Sequence, residues 1–117
     1  MRKLLYVMMM GLGSTAAADG LPDVVSVIYQ CDRDVRLPVT YINAGGFESV
    51  AVMQVEGRQV AMRQFVSASG AKYASFDEEL GYRWWSKGDT GFLTFLAADH
   101  TAEEVDLLMD CHVITGN

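Results

Sequence analysis

The sequence has few of the residues that build metal centres, and it has no apolar run long enough to cross a membrane. Of its 117 residues, two are cysteines and two are histidines. His100 and His112 form no recognised metal-ligand spacing with either cysteine, so we expect no metal site and no cofactor. The uncharged apolar segment 4–12 (LLYVMMMGL) has nine residues, whereas a membrane-spanning helix needs about 20. We therefore expect no stable membrane anchor in the mature chain.

The N-terminal segment instead has the three parts of a secretory signal peptide. Arg2 and Lys3 form its basic start, residues 4–12 are its apolar centre, and residues 13–18 (GSTAAA) are small enough for signal-peptidase cleavage after Ala18. No cysteine lies near that site, so the lipid-attachment pattern of a lipoprotein is absent. We expect residues 1–18 to be removed and residues 19–117 to form one soluble domain, exported to the periplasm.

Positive charge is also scarce. Two of the nine lysines and arginines lie in the signal segment, so the mature chain has seven cationic and fifteen anionic side chains and a formal net charge of −8. Binding to nucleic acid requires a positive surface, so nucleic acid is excluded as a partner. A basic protein would be attracted by the same negative field.

The two cysteines lie near opposite ends of the mature chain. In an oxidising compartment Cys31 and Cys111 are expected to form a disulfide. Such a bridge closes a loop of about 80 residues and constrains the unfolded chain by roughly 4 to 5 kcal/mol. A metal site is the alternative, and it lacks ligands.

Short β-prone runs separated by turn residues predict an all-β domain. The turn signals include Glu56-Gly57 and residues 43–46 (NAGG). A helical turn before the last strand, within 102–109, is an open alternative. The eight predicted strands are 24–31, 36–42, 47–55, 58–66, 70–75, 80–86, 90–97 and 104–113.

In so small a domain, closing the sheet into a barrel removes exposed strand edges. Side chains can fill an eight-stranded barrel of this size. The predicted filling consists of Val24, Val52, Met53, Val60, Met62, Phe92, Phe95 and Leu107. A carrier with a ligand cavity inside the barrel is the alternative.

Four short motifs occur in order along the mature chain. They are 29–31 (YQC), 39–41 (VTY), 69–73 (SGAKY) and 85–89 (WSKGD). With both cysteines and the signal segment, they make the whole mature chain resemble the MliC/PliC family. The members of this family are membrane-bound or periplasmic inhibitors of C-type lysozyme in Gram-negative bacteria.

The resemblance implies an eight-stranded antiparallel barrel with one disulfide, whose loop enters the substrate cleft of a C-type lysozyme, and it implies that the protein is not an enzyme. Ser69 and Lys87 carry over as the residues that enter the cleft. C-type lysozymes act through two carboxyl groups, which a lysine ammonium can pair with and a serine hydroxyl can hydrogen-bond to. The lysozyme-binding set implied by the resemblance is Ser69, Gly70, Lys72, Tyr73, Trp85, Lys87 and Gly88.

Strand alternation gives further expectations for this site. If the strands around 70–75 and 80–86 form a hairpin centred near Glu78, Ser69 falls opposite Lys87 on one face. A slip of one residue would place them on opposite faces. Trp84 and Trp85 are adjacent and must face opposite ways, one into the barrel and one towards the binding surface.

Two other interpretations of these residues remain open. Ser69 and Lys87 could form a nucleophilic Ser-Lys pair, which needs a desolvated lysine and an oxyanion hole. The two segments could also be plain turns in a barrel that has lost lysozyme binding. The sequence does not determine the oligomeric state.

Overall fold

In the computed structural model, the described residues are 23–44, 49–65, 69–77, 80–98 and 101–116. The predicted signal segment, residues 1–18, lies outside them. All eight predicted strands are present. They are β1 (Asp23–Gln30), β2 (Arg36–Asn43), β3 (Val50–Val55), β4 (Arg58–Phe65), β5 (Ala71–Ser75), β6 (Tyr82–Lys87), β7 (Thr90–Phe95) and β8 (Val105–Gly116).

The strands form a closed antiparallel barrel. Each strand pairs with its neighbours in the sequence, and β8 returns to pair with β1. The predicted barrel is therefore confirmed, and β8 occupies the segment where a helical turn was the alternative. Within the described residues, no helix is long and apolar enough to cross a membrane.

The turn between β3 and β4 illustrates how the sequence determines a hairpin. Val55 pairs with Arg58, which leaves Glu56 and Gly57 as a two-residue loop. Both have positive φ, 52° and 81°, as a type I′ turn requires. This turn matches the strand twist, so the predicted hairpin signal at Glu56-Gly57 is confirmed.

The disulfide between Cys31 and Cys111 is confirmed, and it joins the end of β1 to the middle of β8. A short 3₁₀ turn, Asp32–Asp34, follows Cys31 and was not predicted. The Asp32 carboxylate accepts a hydrogen bond from the Met109 amide at 3.1 Å, and the Arg33 guanidinium donates to the Leu107 carbonyl. Together these contacts fasten the first connection of the barrel to its last strand.

The barrel interior is filled by side chains. Met53, Val60 and Met62 are buried, as predicted. Phe95 and Leu107 are partly buried and pack against this core. The largest fully buried side chains are Trp84, Leu37, Met53, Met62 and Leu93, which occupy the space where a carrier would need a cavity.

Three predicted core residues are not in this core. Val24 is 57% exposed, and Val52 and Phe92 are only partly buried. The reason is that successive side chains of a strand point to opposite faces. On β3, Ala51 and Met53 point inwards, so Val52 points outwards. On β7, Leu93 points inwards, so Phe92 points outwards.

A close approach between β6 and β7 excludes any side chain at Gly81. A Cβ atom there would lie 1.7 Å from the carbonyl oxygen of Leu96, whose amide donates a hydrogen bond to the Gly81 carbonyl at 2.8 Å. We therefore expect Gly81→Ala to lower the free energy of unfolding by about 2 kcal/mol, because the backbone must separate.

Gly57→Ala is the matched control, since its Cβ would meet nothing within 4 Å and only the positive φ is unfavourable. That change should cost about 1 kcal/mol. Urea denaturation of both variants compares the two costs. Equal losses would contradict the steric explanation.

Candidate functional site

A cleft of about 470 Å³ opens on the barrel where β5 begins and β6 ends. Ser69, Trp85 and Lys87 line one part of it. The opposite part is formed by β7 and β8. The residues of β7 and β8 that line this opposite part are Thr90, Gly91, Phe92, Met109, Asp110, Cys111 and His112. The two residues that the sequence singled out most strongly, Ser69 and Lys87, therefore line one cleft.

The predicted register between β5 and β6 was wrong by one residue. Ala71 pairs with Ser86 and Tyr73 with Trp84, so the continued register places Gly70, not Ser69, beside Lys87. Ser69 still reaches the cleft because it precedes β5, where the backbone bends and strand alternation no longer applies.

Gly70 makes this bend possible. Its φ is +71°, and a Cβ atom on it would lie 2.5 Å from the Ser86 carbonyl oxygen and 3.1 Å from Lys87 Cβ. A residue with a side chain would be strained at this φ and would push the two strands apart. Glycine thus holds Ser69 close to the end of β6.

Lys87 stands at the start of a two-residue hairpin loop. It pairs with Thr90, so the loop consists of Gly88, with φ of 59°, and Asp89. The Thr90 hydroxyl donates to the Lys87 carbonyl at 2.9 Å, and the Val113 amide donates to the Asp89 carbonyl at 2.9 Å. These bonds fix the backbone of the loop against β8, while the Lys87 side chain is exposed.

An outward ladder of side chains crosses four strands beside the cleft. Phe65 pairs with Lys72, Lys72 with Trp85, and Trp85 with Phe92. The Lys72 ammonium lies 4.3 Å from the centroid of the Trp85 ring, a cation–π contact. Trp85 and Phe92 are stacked, with centroids 5.7 Å apart. Lys72 therefore braces Trp85 on the outer surface at the cleft wall.

Trp84 faces the other way, into the barrel, as predicted for one of the two tryptophans. It is fully buried, and its indole N–H donates to the Tyr41 hydroxyl at 2.9 Å. The Tyr29 and Tyr41 hydroxyls are hydrogen-bonded at 2.8 Å. Desolvation by burial, reinforced by this bond, raises the pKa of Tyr29 far above its ordinary value. The aromatic layer beneath the site is therefore neutral and fully packed.

Tyr73, one of the site residues implied by the resemblance, belongs to this interior layer. It is 4% exposed, its ring lies 5.7 Å from that of Tyr41, and burial raises its pKa. Its side chain is thus placed to support the cleft wall from inside, not to touch a partner.

The contribution of β8 to the cleft was not predicted. Met109, Asp110 and His112 reach it through a register shift between β7 and β8, where Gly91 pairs with Cys111 but Leu93 with Leu108. Asp110 lies in this shift and has a φ of 55°. No sequence motif signals such a bulge; the only indication was that these residues flank the second cysteine.

The cleft has a largely apolar lining that includes Trp85, Phe92 and Met109, and Ser69 and Lys87 add polar groups to it. Within the described part of the chain, the only ion pair joins Arg33 to Asp32, so Lys87 forms no ion pair there, although Asp110 lines the same cleft. Asp89 is a turn residue in the loop between β6 and β7. No group of three or more possible metal ligands occurs among the described residues.

Comparison with known proteins gives consistent results. Residues 29–102 match the family described as "membrane-bound lysozyme-inhibitor of c-type lysozyme". Two similar proteins are each named as a membrane-bound lysozyme inhibitor of C-type lysozyme. One, from Cupriavidus necator, is 41% identical over 92 residues, which are 70% of each chain. The other, from Pseudomonas aeruginosa, is 37% identical over 76 residues, which are 64% of this chain and 56% of its own length.

Two solved structures have the same fold. The periplasmic lysozyme inhibitor of C-type lysozyme from Salmonella typhimurium has a TM-score of 0.64 at 22% identity, covering 78% of this chain and 98% of its own. Pseudomonas aeruginosa MliC, solved in complex with hen egg white lysozyme, has a TM-score of 0.59 at 28% identity, covering 80% of this chain and 85% of its own.

Proposed function

The chain belongs to the family of membrane-bound lysozyme inhibitors of C-type lysozyme, and we propose from this membership that it binds a C-type lysozyme and blocks the substrate cleft of that enzyme. We further propose that it acts in the periplasm after removal of residues 1–18. Lysozyme is the protein partner, and the inhibitor itself performs no catalysis.

The observation that carries this proposal is that Ser69 and Lys87 line one exposed cleft on a rigid barrel. The Lys87 ammonium is carried by a hairpin whose backbone is fixed on both sides, so little loop order has to be gained on binding. Directed at the paired carboxyl groups of a C-type lysozyme, it forms a charge-assisted hydrogen bond, and the Ser69 hydroxyl forms a second bond. Neither group can be hydrolysed, so the enzyme cleft stays occupied.

Trp85 supplies the apolar part of the contact in this proposal. It lies on the cleft wall, held between Lys72 and Phe92. A pre-ordered aromatic side chain of this kind is a common anchor at protein interfaces. Gly70 and Gly88 contribute by keeping the two loops narrow, and Lys72 by bracing the Trp85 ring.

The charge distribution favours association with a basic enzyme. The mature chain is strongly acidic, with a formal net charge of −8 from seven cationic and fifteen anionic side chains. Attraction between the acidic body and a basic lysozyme increases the association rate more than the final affinity.

A Ser-Lys catalytic pair is the less favoured assignment. A lysine that acts as a general base must be desolvated so that its pKa falls, whereas Lys87 is exposed in a polar hairpin. Labelling of Ser69 by an active-site serine probe would instead support a catalytic Ser69–Lys87 pair.

The direct test is a lysozyme assay on a cell-wall substrate, with C-type, G-type and I-type enzymes compared side by side. We expect an equimolar amount of residues 19–117 to suppress the C-type enzyme and to leave the other two largely active, because the family is described by inhibition of the C-type enzyme. Failure to inhibit the C-type enzyme at a molar excess would refute the proposal.

A further inference from the structure

The charges of this acidic protein are unevenly distributed over the barrel. Strands β4 to β7 contain no aspartate or glutamate, yet they hold five of the seven cationic residues of the mature chain. These five are Arg58, Arg63, Lys72, Arg83 and Lys87. On this side of a protein with a net negative charge, every charged side chain on the strands is therefore positive. Lys87 lines the cleft described above, and Lys72 contacts Trp85 in the wall of that cleft. The three arginines have no role in it.

Two of the remaining cations lie at a second pocket, at the other end of β5 and β6. Arg63 pairs with Ala74, and Ala74 pairs with Arg83, so the two arginines flank one small residue on the outer surface. The pocket has a volume of about 440 Å³, and both arginines line it together with Phe76 and Leu80. The backbones of β4 and β6 are about 10 Å apart, two strand spacings, which two arginine side chains can bridge.

Ala74 forms the floor of this pocket. It is only 4% exposed, but it does not belong to the barrel core, because Tyr73 beside it points inwards. Its methyl group therefore points to the outer surface and lines the pocket between the two arginines. A small side chain between two long cationic ones leaves a recess that is apolar at the bottom and positive at its sides.

Neither arginine of the pocket forms an ion pair among the described residues, although Asp77 follows Phe76 in the chain. Among the described residues, no carboxylate lies within 4.0 Å of either guanidinium, since the only such pair there is Arg33 with Asp32. Two guanidinium groups that line one pocket repel each other, and an anion between them would reduce that repulsion. Their planar forks match the oxygens of a phosphate group in a bidentate manner, and two single positive charges balance a phosphate dianion.

We propose that the pocket between Arg63 and Arg83 binds a phosphate monoester or a phosphate-bearing headgroup. The phosphate lies between the two guanidinium groups, and the organic part of the ligand packs on Phe76 and Leu80 at the apolar rim. Phe65 lines this pocket and Trp85 lines the cleft proposed for lysozyme binding, and Lys72 lies between them in the ladder, so the pocket is a second binding site on the outer surface.

The test uses residues 19–117 and glucose 1-phosphate as the probe, with glucose as the ligand that lacks phosphate. We expect saturable changes in the NMR amide signals of Arg63, Ala74 and Arg83 with glucose 1-phosphate and none with glucose. Because this measurement uses the unaltered protein, it does not depend on how any variant folds. Changes confined to other residues, or changes of equal size with glucose, would overturn the proposal.

Variants test the role of the two charges. We expect the double variant Arg63→Gln, Arg83→Gln to bind glucose 1-phosphate at least about tenfold more weakly, since each charged hydrogen bond contributes substantially. Arg36→Gln, which removes a charge on β2, is the matched control and should bind normally. Retained lysozyme inhibition shows that the double variant is folded and separates this proposal from the previous one. An equal loss of glucose 1-phosphate binding in Arg36→Gln would mean that the ligand is attracted by charge in general, and it would overturn the proposed site.

A second arm identifies the source of the phosphate. Sedimentation with vesicles of phosphatidylglycerol and phosphatidylcholine, compared with phosphatidylcholine alone, measures binding to lipid headgroups. Binding that requires phosphatidylglycerol and is lost in the double variant assigns the site to lipid. Binding of glucose 1-phosphate without vesicle binding assigns it to a soluble phosphate ester. Absence of both would refute the site.

Discussion

Replacing Cys31 and Cys111 together by serine is expected to lower the free energy of unfolding by about 4 to 5 kcal/mol. The two residues are 80 positions apart, so the bridge encloses most of residues 19–117 and removes a large amount of loop entropy from the unfolded state. A small domain has a total stability of only about 5 to 15 kcal/mol. The unbridged variant should therefore be close to unfolding at 37 °C.

The location of the bridge adds to this effect. It joins β1 to β8, the two strands whose pairing closes the barrel, and both sulfur-bearing residues are buried. Cys111 also lines the cleft, so loosening of β8 would disturb the surface that we propose for lysozyme binding. The loss of stability and the loss of inhibition should therefore appear together.

Urea denaturation, followed by tryptophan fluorescence because Trp84 is fully buried, measures the change. The control is dithiothreitol, which should destabilise the natural protein by a similar amount and leave the double serine variant unaffected. A variant within about 1 kcal/mol of the natural protein would show that the bridge contributes little to stability, contrary to the entropy argument.

The strands could be predicted from sequence because their ends are chemically marked. Glu56-Gly57 and Lys87-Gly88-Asp89 interrupt apolar alternation at both turns with residues that accept positive φ. Closure into a barrel followed from the small size of the domain and the need to avoid open edges. The first inference rests on local turn chemistry and the second on the size of the domain, and both were correct.

Assignment of the core was less successful for a physical reason. β3 reads VAVMQV, which is apolar at nearly every position, so alternation alone does not say which face is inside. Val52 was assigned to the core, but Ala51 and Met53 are the buried pair. Choosing the inner face requires knowledge of the neighbouring strands, and this knowledge comes from the tertiary structure.

The register of the site depended on one turn. The observed pairs between β5 and β6, such as Ala71 with Ser86, are shifted by one residue from those of a hairpin centred on Glu78. The continued register therefore places Gly70, and not Ser69, opposite Lys87. A shift of one residue in a regular hairpin would have separated the two side chains. They stay together because Ser69 precedes the strand, where Gly70 bends the backbone. Both residues line the cleft, but the register argument for the pair was wrong, and their role in lysozyme binding stays a prediction.

Lys87→Ala is expected to weaken binding to a C-type lysozyme by about 3 kcal/mol, a factor of roughly 150 in Kd. In our proposal the ammonium is the only positive charge that enters the enzyme cleft, so its removal leaves the lysozyme carboxyl groups desolvated without a partner. Ser69→Ala should cost less, about 1 kcal/mol, because a neutral hydroxyl contributes a weaker hydrogen bond. Competitive titration against a fluorescent lysozyme substrate measures both values.

Two further variants separate the charge of Lys87 from its bulk and from the net charge of the protein. Lys87→Met keeps the length and apolar stem of the side chain, so it should bind as weakly as Lys87→Ala if the ammonium is what matters. Arg36→Ala removes a positive charge on β2, away from the cleft, and should leave Kd within about a factor of three, as expected for an exposed charge. Lysozyme binding by Lys87→Met at the natural affinity would mean that the side chain acts by shape, and the proposed contact with paired carboxyl groups would then be wrong.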